Sequence, residues 1–359
     1  MNLKKQITLS LYRQHKRNQA QLHELNYLFW ECTLRCNLNC LHCGSDCTKE
    51  AAVQDMPLAD FLKVLDTIAP HVNPNKTMLA LTGGEPLMRK DLEICGKAFY
   101  QRGFPWGMVT NGYGLTRERL KNLLNSGLRS ITISFDGLTP ETHDWLRGKA
   151  GSWERAGNAI ALVAATPNLV YDVVTCVNKR TIGELEAIKN LLIGLGVKQW
   201  RLFRIFPKGR AEDNPLLNLS PEEFTRMLEF IKQTRKEGRI HASFGCEGFL
   251  GDYELEVRDT PFFCRAGIHI GSVLADGSIS ACPSLRADYI QGNIYHDDFW
   301  TVWNERYQTL RDRSWTQTGV CAACKSYKYC EGNGLHLRDE KDGRLLCCHL
   351  EMIIPIPQS

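Results

Sequence analysis

No stretch of this chain approaches the length of a membrane span, and its first residues, MNLKKQITLSLYRQHKRNQ, lack the apolar core of a secretory signal. Membrane-spanning and secreted classes are therefore not expected. There is no solenoid-type repeat and no low-complexity segment. An excess of one charge is also lacking: 44 Lys and Arg against 40 Asp and Glu leave +4, too little to argue for nucleic acid as the main partner. The basic run Lys4, Lys5, Arg13, Lys16 and Arg17 reads as a solvated helix face. With 43% hydrophobic and 23% charged residues over 359 positions, the chain can bury a large core and carry one big domain plus a smaller one. What it has in quantity is cysteine, 15 in all. Without a secretory signal, reduced cytoplasmic thiols that serve metal are expected rather than disulfides.

Three of these cysteines, Cys36, Cys40 and Cys43, stand as C-x3-C-x2-C in CNLNCLHC. Thiolates so spaced on one tight loop suit three corners of a 4Fe-4S cube. The fourth iron is then left open to a small chelating molecule, as the open position of a catalytic zinc is left to water or substrate. The plainer alternative is a zinc knuckle completed by His42 or Cys47, although zinc ribbons usually pair two C-x2-C hooks and the first gap here is three residues. Cys32 and Cys47 flank the trio outside its spacing and receive no role.

The run C36-N-L-N-C40-L-H-C43 resembles the cluster loop of radical S-adenosylmethionine (SAM) enzymes. The resemblance implies a 4Fe-4S cluster whose open iron is chelated by the methionyl end of SAM, and reductive cleavage of SAM to a 5′-deoxyadenosyl radical. In such a reaction the cofactor carries the chemistry while the protein orients it.

Short apolar runs alternate with amphipathic ones from Leu25 to Arg204, the pattern of a parallel β/α architecture. Strands are expected at Tyr27–Trp30, Thr77–Leu81, Gly107–Thr110, Arg129–Phe135, Val170–Val177 and Gln199–Ile205. Helices are expected at Leu58–Ala69, Leu92–Arg102, Arg117–Asn125, Trp153–Ala165 and Ile182–Gly194, with Thr116 and Thr181 as caps. Six units make an α/β fold, a partial (β/α)6 TIM-type barrel, with its chemistry at the C-terminal strand ends. The candidate residues fall there. Gly83, Gly84, Glu85 and Pro86 resemble the family's GGEP motif, and two glycines let backbone approach a ligand closely. Thr110 and Asn111 resemble its TNG element, and Ser134 and Asp136 its SxDG element. Arg147, in HDWLRG, resembles a conserved-type HDxxRG run. Its guanidinium suits a two-pronged grip on the SAM carboxylate, against the alternative of an exposed helix residue. Asn178, in TCVN, is a candidate neighbour of the nucleoside, while Cys95 and Cys176 read as packed core thiols.

Phe206–Ala211 resembles the turn that closes such barrels, and a linker and a helix at Glu222–Lys236 follow. The expected divisions are an extension over 1–24, the barrel over 25–206, a linker and helix over 207–244, and a small cysteine-rich SPASM-like domain over 245–359. Cys264, Cys282, Cys321, Cys324, Cys330, Cys347 and Cys348 follow the layout of that C-terminal region, and Asp276-Gly277 reads as a two-residue hairpin turn. One departure matters. Gly334 stands where the pattern's next cysteine is expected, and no cysteine stands shortly before Cys264. Hence one auxiliary 4Fe-4S cluster is expected, on Cys321, Cys324, Cys330 and either Cys347 or Cys348. Cys246 is held as a reserve ligand for a further one. The alternative for this set is a structural zinc.

The resemblance implies a peptide or protein substrate and a flavodoxin or ferredoxin electron donor. Pro283 after Cys282 argues against sulfatase maturation, and the chain leaves little room for a peptide-leader domain. In layout and in its run YKYCEGNGLHLRD it is similar to SPASM enzymes associated with small lipoproteins in Bacteroidetes. The alternatives are a tetrapyrrole-modifying member and a non-catalytic, metal-stabilised binding module. Asp136, Glu247, Tyr253 and His269 are unranked acid, base or relay candidates.

Overall fold

The computed structural model describes residues 3–51, 53–212, 214–245 and 247–353, so Cys246 lies outside the described residues. After α1 (Leu3–Leu22), seven strands lie side by side in parallel and in chain order. They are β1 (Tyr27–Thr33), β2 (Met78–Gly83), β3 (Trp106–Thr110), β4 (Leu128–Ser134), β5 (Val170–Val177), β6 (Gln199–Arg204) and β7 (His241–Phe244). The connecting helices are α2 (Leu58–Ile68), α3 (Leu92–Gln101), α4 (Arg117–Asn125), α5 (Pro140–Arg147), α6 (Ser152–Ala164), α7 (Leu185–Gly194) and α8 (Pro221–Glu237). The six expected β/α units are present with ends displaced by a few residues. The stretch read as linker and helix contributes a further unit, because α8 returns the chain to pair β7 with β6.

The C-terminal region joins this sheet directly. β8 (Ile270–Val273) pairs in parallel with β1, β9 (Ser278–Ser280) turns back along β8, and β10 (Gly292–Asn293) pairs with β9. The hairpin has a three-residue loop, not two: the Leu274 N–H donates to the Ser278 carbonyl at 2.9 Å, and Gly277 takes the left-handed position (φ 85°) before the second strand. α9 (Phe299–Glu305), α10 (Gln308–Arg311) and α11 (Tyr327–Cys330) complete the described helices.

Local sequence accounts for the helix ends that matter to the site. α5 starts on a Thr139/Thr142 capping box with Pro140 in its first turn, and stops at left-handed Gly148 (φ 64°). Thr116 caps α4 as expected. Thr181 does not cap α7, which begins three residues later behind Glu184; its hydroxyl accepts the Asn178 N–H at 3.2 Å instead. Between sheet and helices, Trp30 stacks on Phe61 with centroids 4.3 Å apart, and both are fully buried. Each such ring contributes roughly 1.5–3 kcal/mol of burial. The basic N-terminal run is not wholly solvated, since Lys16 is buried and donates to the Tyr329 carbonyl and Glu331, both at 2.8 Å.

Candidate active site

Cys36, Cys40 and Cys43 follow β1 on a loop gripped from several sides by backbone. The Gly84 N–H donates to the Thr33 carbonyl at 2.7 Å and the Glu85 N–H to that of Arg35 at 2.9 Å. From α5, the Arg147 and Leu146 carbonyls receive the N–H groups of Asn39 (3.2 Å) and Leu41 (2.9 Å). The Arg210 N–H bonds the Cys43 carbonyl at 3.1 Å. These approaches need glycine. A Cβ on Gly84 would lie 2.2 Å from the Arg35 carbonyl oxygen, and one on Gly148 would lie 2.2 Å from that of Asn39. The glycines of GGEP thus admit the chain's own cluster loop.

The motif side chains brace the same loop. Glu85 is buried, and its carboxylate accepts Thr110 Oγ1 at 2.7 Å, the Asn111 N–H at 2.8 Å and the Leu87 N–H at 3.1 Å. Burial pushes its pKa above the usual range against those bonds. Pro86, next to it, opens a single 3-10 turn. Asn111 Nδ2 donates to Asn37 Oδ1 at 2.8 Å and lies 3.9 Å from Cys36 Sγ. Ser134 is buried at the end of β4.

Arg147 is not an exposed helix residue. It is buried, ion-paired with the fully buried Asp136, and its Nη1 lies 3.7 Å from Cys40 Sγ. Burial opposes the charge on Asp136, yet Arg147 and the nearby histidines hold its pKa below the ordinary range. The guanidinium is therefore committed to Asp136 and to the cluster loop, and the free two-pronged grip on a carboxylate expected of it is not what the structure provides. His143 Nδ1 accepts the Asp136 N–H at 3.0 Å, and burial lowers its pKa to about 4, so it is neutral. Asn178 closes a local turn by accepting the Arg180 N–H at 2.9 Å.

Burial pushes the Cys36 thiol up to about 11. Cys43 is instead pulled down by a hydrogen bond from the Cys47 side chain, and its sulfur also accepts the Cys47 N–H at 3.4 Å. Cys47, given no role from spacing, thus supports Cys43. Among the described residues no three His, Cys, Asp or Glu side chains close tightly enough to enclose one metal ion. The three-thiol loop, with Arg147 against one sulfur and Asn111 near another, fits a larger polynuclear group.

In the C-terminal region burial raises the pKa values of Cys330 and Cys348, and the neighbouring Cys321 adds to both, which places these three sulfurs near one another. Cys324 follows one turn after Cys321, its N–H bonding the Cys321 carbonyl at 3.3 Å. Cys347 points elsewhere, with its sulfur 2.6 Å from Arg204 Nη1 and 3.6 Å from Met352 Sδ. Cys264 sits apart beside Arg313, which holds its pKa down against burial.

Of the acid and base candidates, Glu247 is buried 3.1 Å from His349 Nε2, and burial raises its pKa to about 8. Burial also lowers the pKa of His349 to about 3, so the contact is a hydrogen bond between neutral groups and not an ion pair. Tyr253 donates to Glu229 on α8 at 2.7 Å. The His269 carbonyl binds Asn26 and Tyr27 at the N-terminal end of β1, opposite to the strand ends that carry the site. Glu31, which sequence reading missed, accepts the Ala275 N–H at 3.0 Å and pairs with Arg286, and Arg286 reaches Ser45 at 3.2 Å. This ties the C-terminal hairpin to the cluster loop.

The radical SAM superfamily matches residues 30–192, and the SPASM iron-sulfur cluster-binding domain matches residues 264–325. The chain carries a radical SAM domain and a SPASM domain. A radical SAM domain implies SAM and a 4Fe-4S cluster, and a SPASM domain implies auxiliary iron-sulfur clusters. Among similar proteins is an AdoMet-dependent heme synthase of Methanosarcina barkeri, 28% identical over 84% of this chain and 89% of that one. Another is the mycofactocin maturase MftC of Mycobacterium tuberculosis, 26% identical over 85% and 77%. The fold is shared with native anSMEcpe with bound AdoMet, at a TM-score of 0.70 and 18% identity over 89% of this chain and 92% of that one. No helix among the described residues is long and apolar enough to cross a membrane.

Proposed function

We propose that this radical SAM enzyme cleaves SAM reductively and uses the resulting radical to abstract hydrogen from a peptide or protein. The observation that carries the reading is the three-cysteine loop gripped by backbone from GGEP, from the end of α5 and from Arg210. A 4Fe-4S cluster held by Cys36, Cys40 and Cys43 would supply the electron for sulfonium cleavage. The chain's own part is to hold three thiolates on one loop, set a buried cation against Cys40, and keep Asp136 ionised beneath it. The arrangement Cys321, Cys324, Cys330 and Cys348 supports a four-thiolate auxiliary cluster, with Cys347 outside it. The peptide-maturing relative supports the substrate class, and a flavodoxin or ferredoxin is the fitting electron donor.

A second reading, tetrapyrrole modification, is favoured by the heme synthase that this chain matches over 89% of its length. One experiment addresses both. The iron- and sulfide-reconstituted protein is incubated anaerobically with SAM, dithionite and either candidate peptides or iron porphyrins, and 5′-deoxyadenosine is measured with Cys40→Ala as control. Formation stimulated by peptide supports the first reading, and stimulation by porphyrin alone replaces it with the second. No product from the fully loaded protein under any condition refutes both.

A further inference from the structure

We propose that the basic groove between α1 and the turn carrying Cys324 is the docking surface for a small acidic one-electron carrier protein. The inference rests on the reading of the chain as a SAM-cleaving enzyme and names where its electron enters. The groove has a volume of about 490 Å³ and is lined on one side by α1 and on the other by residues 311–331, with Cys324 in its wall. Cys324, in the groove wall, is half-buried, so a thiol of the auxiliary ligand set borders this face. None of the lining residues belongs to the loop that carries Cys36, Cys40 and Cys43.

Its charges fall into two kinds. Lys16, Arg311 and Arg313 are already satisfied: Lys16 by Tyr329 and Glu331, Arg311 by the carbonyls of Gly267, Trp303 and Asn304, and Arg313 by those of Leu310, Cys264 and Ala266. They leave little to grip a small anion. Arg17, Lys325 and Lys328 are exposed and Arg13 is half-buried, and none of the four is drawn into an ion pair among the described residues. Of the two acidic residues in the lining, Glu331 is tied to Lys16 and Asp312 accepts the Ser314 N–H at 2.9 Å. Seven Lys and Arg side chains line the groove against two carboxylates, a local excess of five positive charges. Spread, exposed cations steer an acidic protein face into a weak, salt-sensitive encounter, which suits a partner that must dock, deliver and leave. The carrier is oxidised by one electron and the iron-sulfur centre reduced by one; no bond forms or breaks.

The test measures binding of the reconstituted holoenzyme to an acidic flavodoxin by biolayer interferometry at 25 to 300 mM NaCl. Arg13→Glu/Arg17→Glu is compared with Arg17→Glu alone, and with Arg117→Glu/Lys121→Glu on α4 as a charge-matched control. We expect the α1 double variant to weaken binding by about tenfold or more at low salt, the single variant by less, and the α4 control little. Dithionite-driven 5′-deoxyadenosine formation, which needs no carrier, is expected to stay unchanged in all three. Equal binding by the α1 and α4 variants overturns the proposal, as does binding of an acidic peptide to the groove with none of the flavodoxin. Loss of the dithionite-driven reaction in the native chain would instead strike at the enzymatic reading itself.

Discussion

The two cysteine sites of this chain are built on opposite plans. The loop with Cys36, Cys40 and Cys43 is enclosed by the strand ends of the barrel, and three separate segments bond its backbone. The C-terminal set hangs on short turns: Cys321 ends a 3-10 turn, Cys330 ends the four-residue α11, and Cys348 comes from the final described segment. The first site is braced by barrel elements, whereas the second gathers its thiols from short turns, so metal binding there is expected to be coupled more closely to folding.

The sharpest way to break this comparison is to remove a ligand from each side. Cys40→Ala is expected to abolish 5′-deoxyadenosine formation and to lower bound iron by roughly four atoms per chain, leaving the auxiliary share intact. Cys348→Ala is expected to lose the auxiliary share, whereas Cys347→Ala retains it, as read by iron analysis and electron paramagnetic resonance of the reduced protein. Equal iron loss in the two would show that the Arg204 contact does not separate Cys347 from the ligand set.

Next in size is the charge under the loop. Asp136→Asn leaves Arg147 buried without its counter-ion, with an expected cost of about 3–5 kcal/mol in denaturant unfolding. Gly148→Ala follows, costing more than about 1 kcal/mol because alanine meets both a left-handed backbone and the Asn39 carbonyl. It should also slow cluster loading at the first site only. A comparable alanine at Gly319, which has open space around it, should trouble neither loading nor much of the stability beyond its backbone strain.

The smallest expected effect concerns pH. Glu247 has its folded pKa raised to about 8, so the folded state favours its protonated form. That contribution is full below the unfolded pKa of about 4.3 and is lost as pH rises through about 8. Glu247→Gln should therefore gain on the native chain in chemical denaturation as pH rises across this window. Parallel curves for the two proteins would rule out the burial invoked here.

Much of the barrel was legible because its strands are short apolar runs set between amphipathic helices, a periodicity that survives without knowledge of contacts. α4 and β5 fall on the expected residues. The unit made by α8 and β7 was not legible as part of the sheet, because a four-residue strand after a polar linker carries too little pattern to announce its partner. The pairing of β8 with β1 joins residues about 240 positions apart, and no local signal encodes such a register.

The site divides in the same way. Sequence alone singled out the candidate residues: three thiols at fixed spacing, a glycine pair, an Asp at a strand end and an Arg at a helix end. Spacing along a chain is a local property, and ligand loops use it directly. Only the tertiary structure decided what those residues face. It turned Arg147 onto Asp136 and Cys40, set Cys347 on Arg204 and Cys348 toward Cys330, and brought Glu31 under the C-terminal hairpin. A buried charge takes whichever partner the packing leaves within reach, and that choice is made across the fold, between elements the sequence keeps far apart.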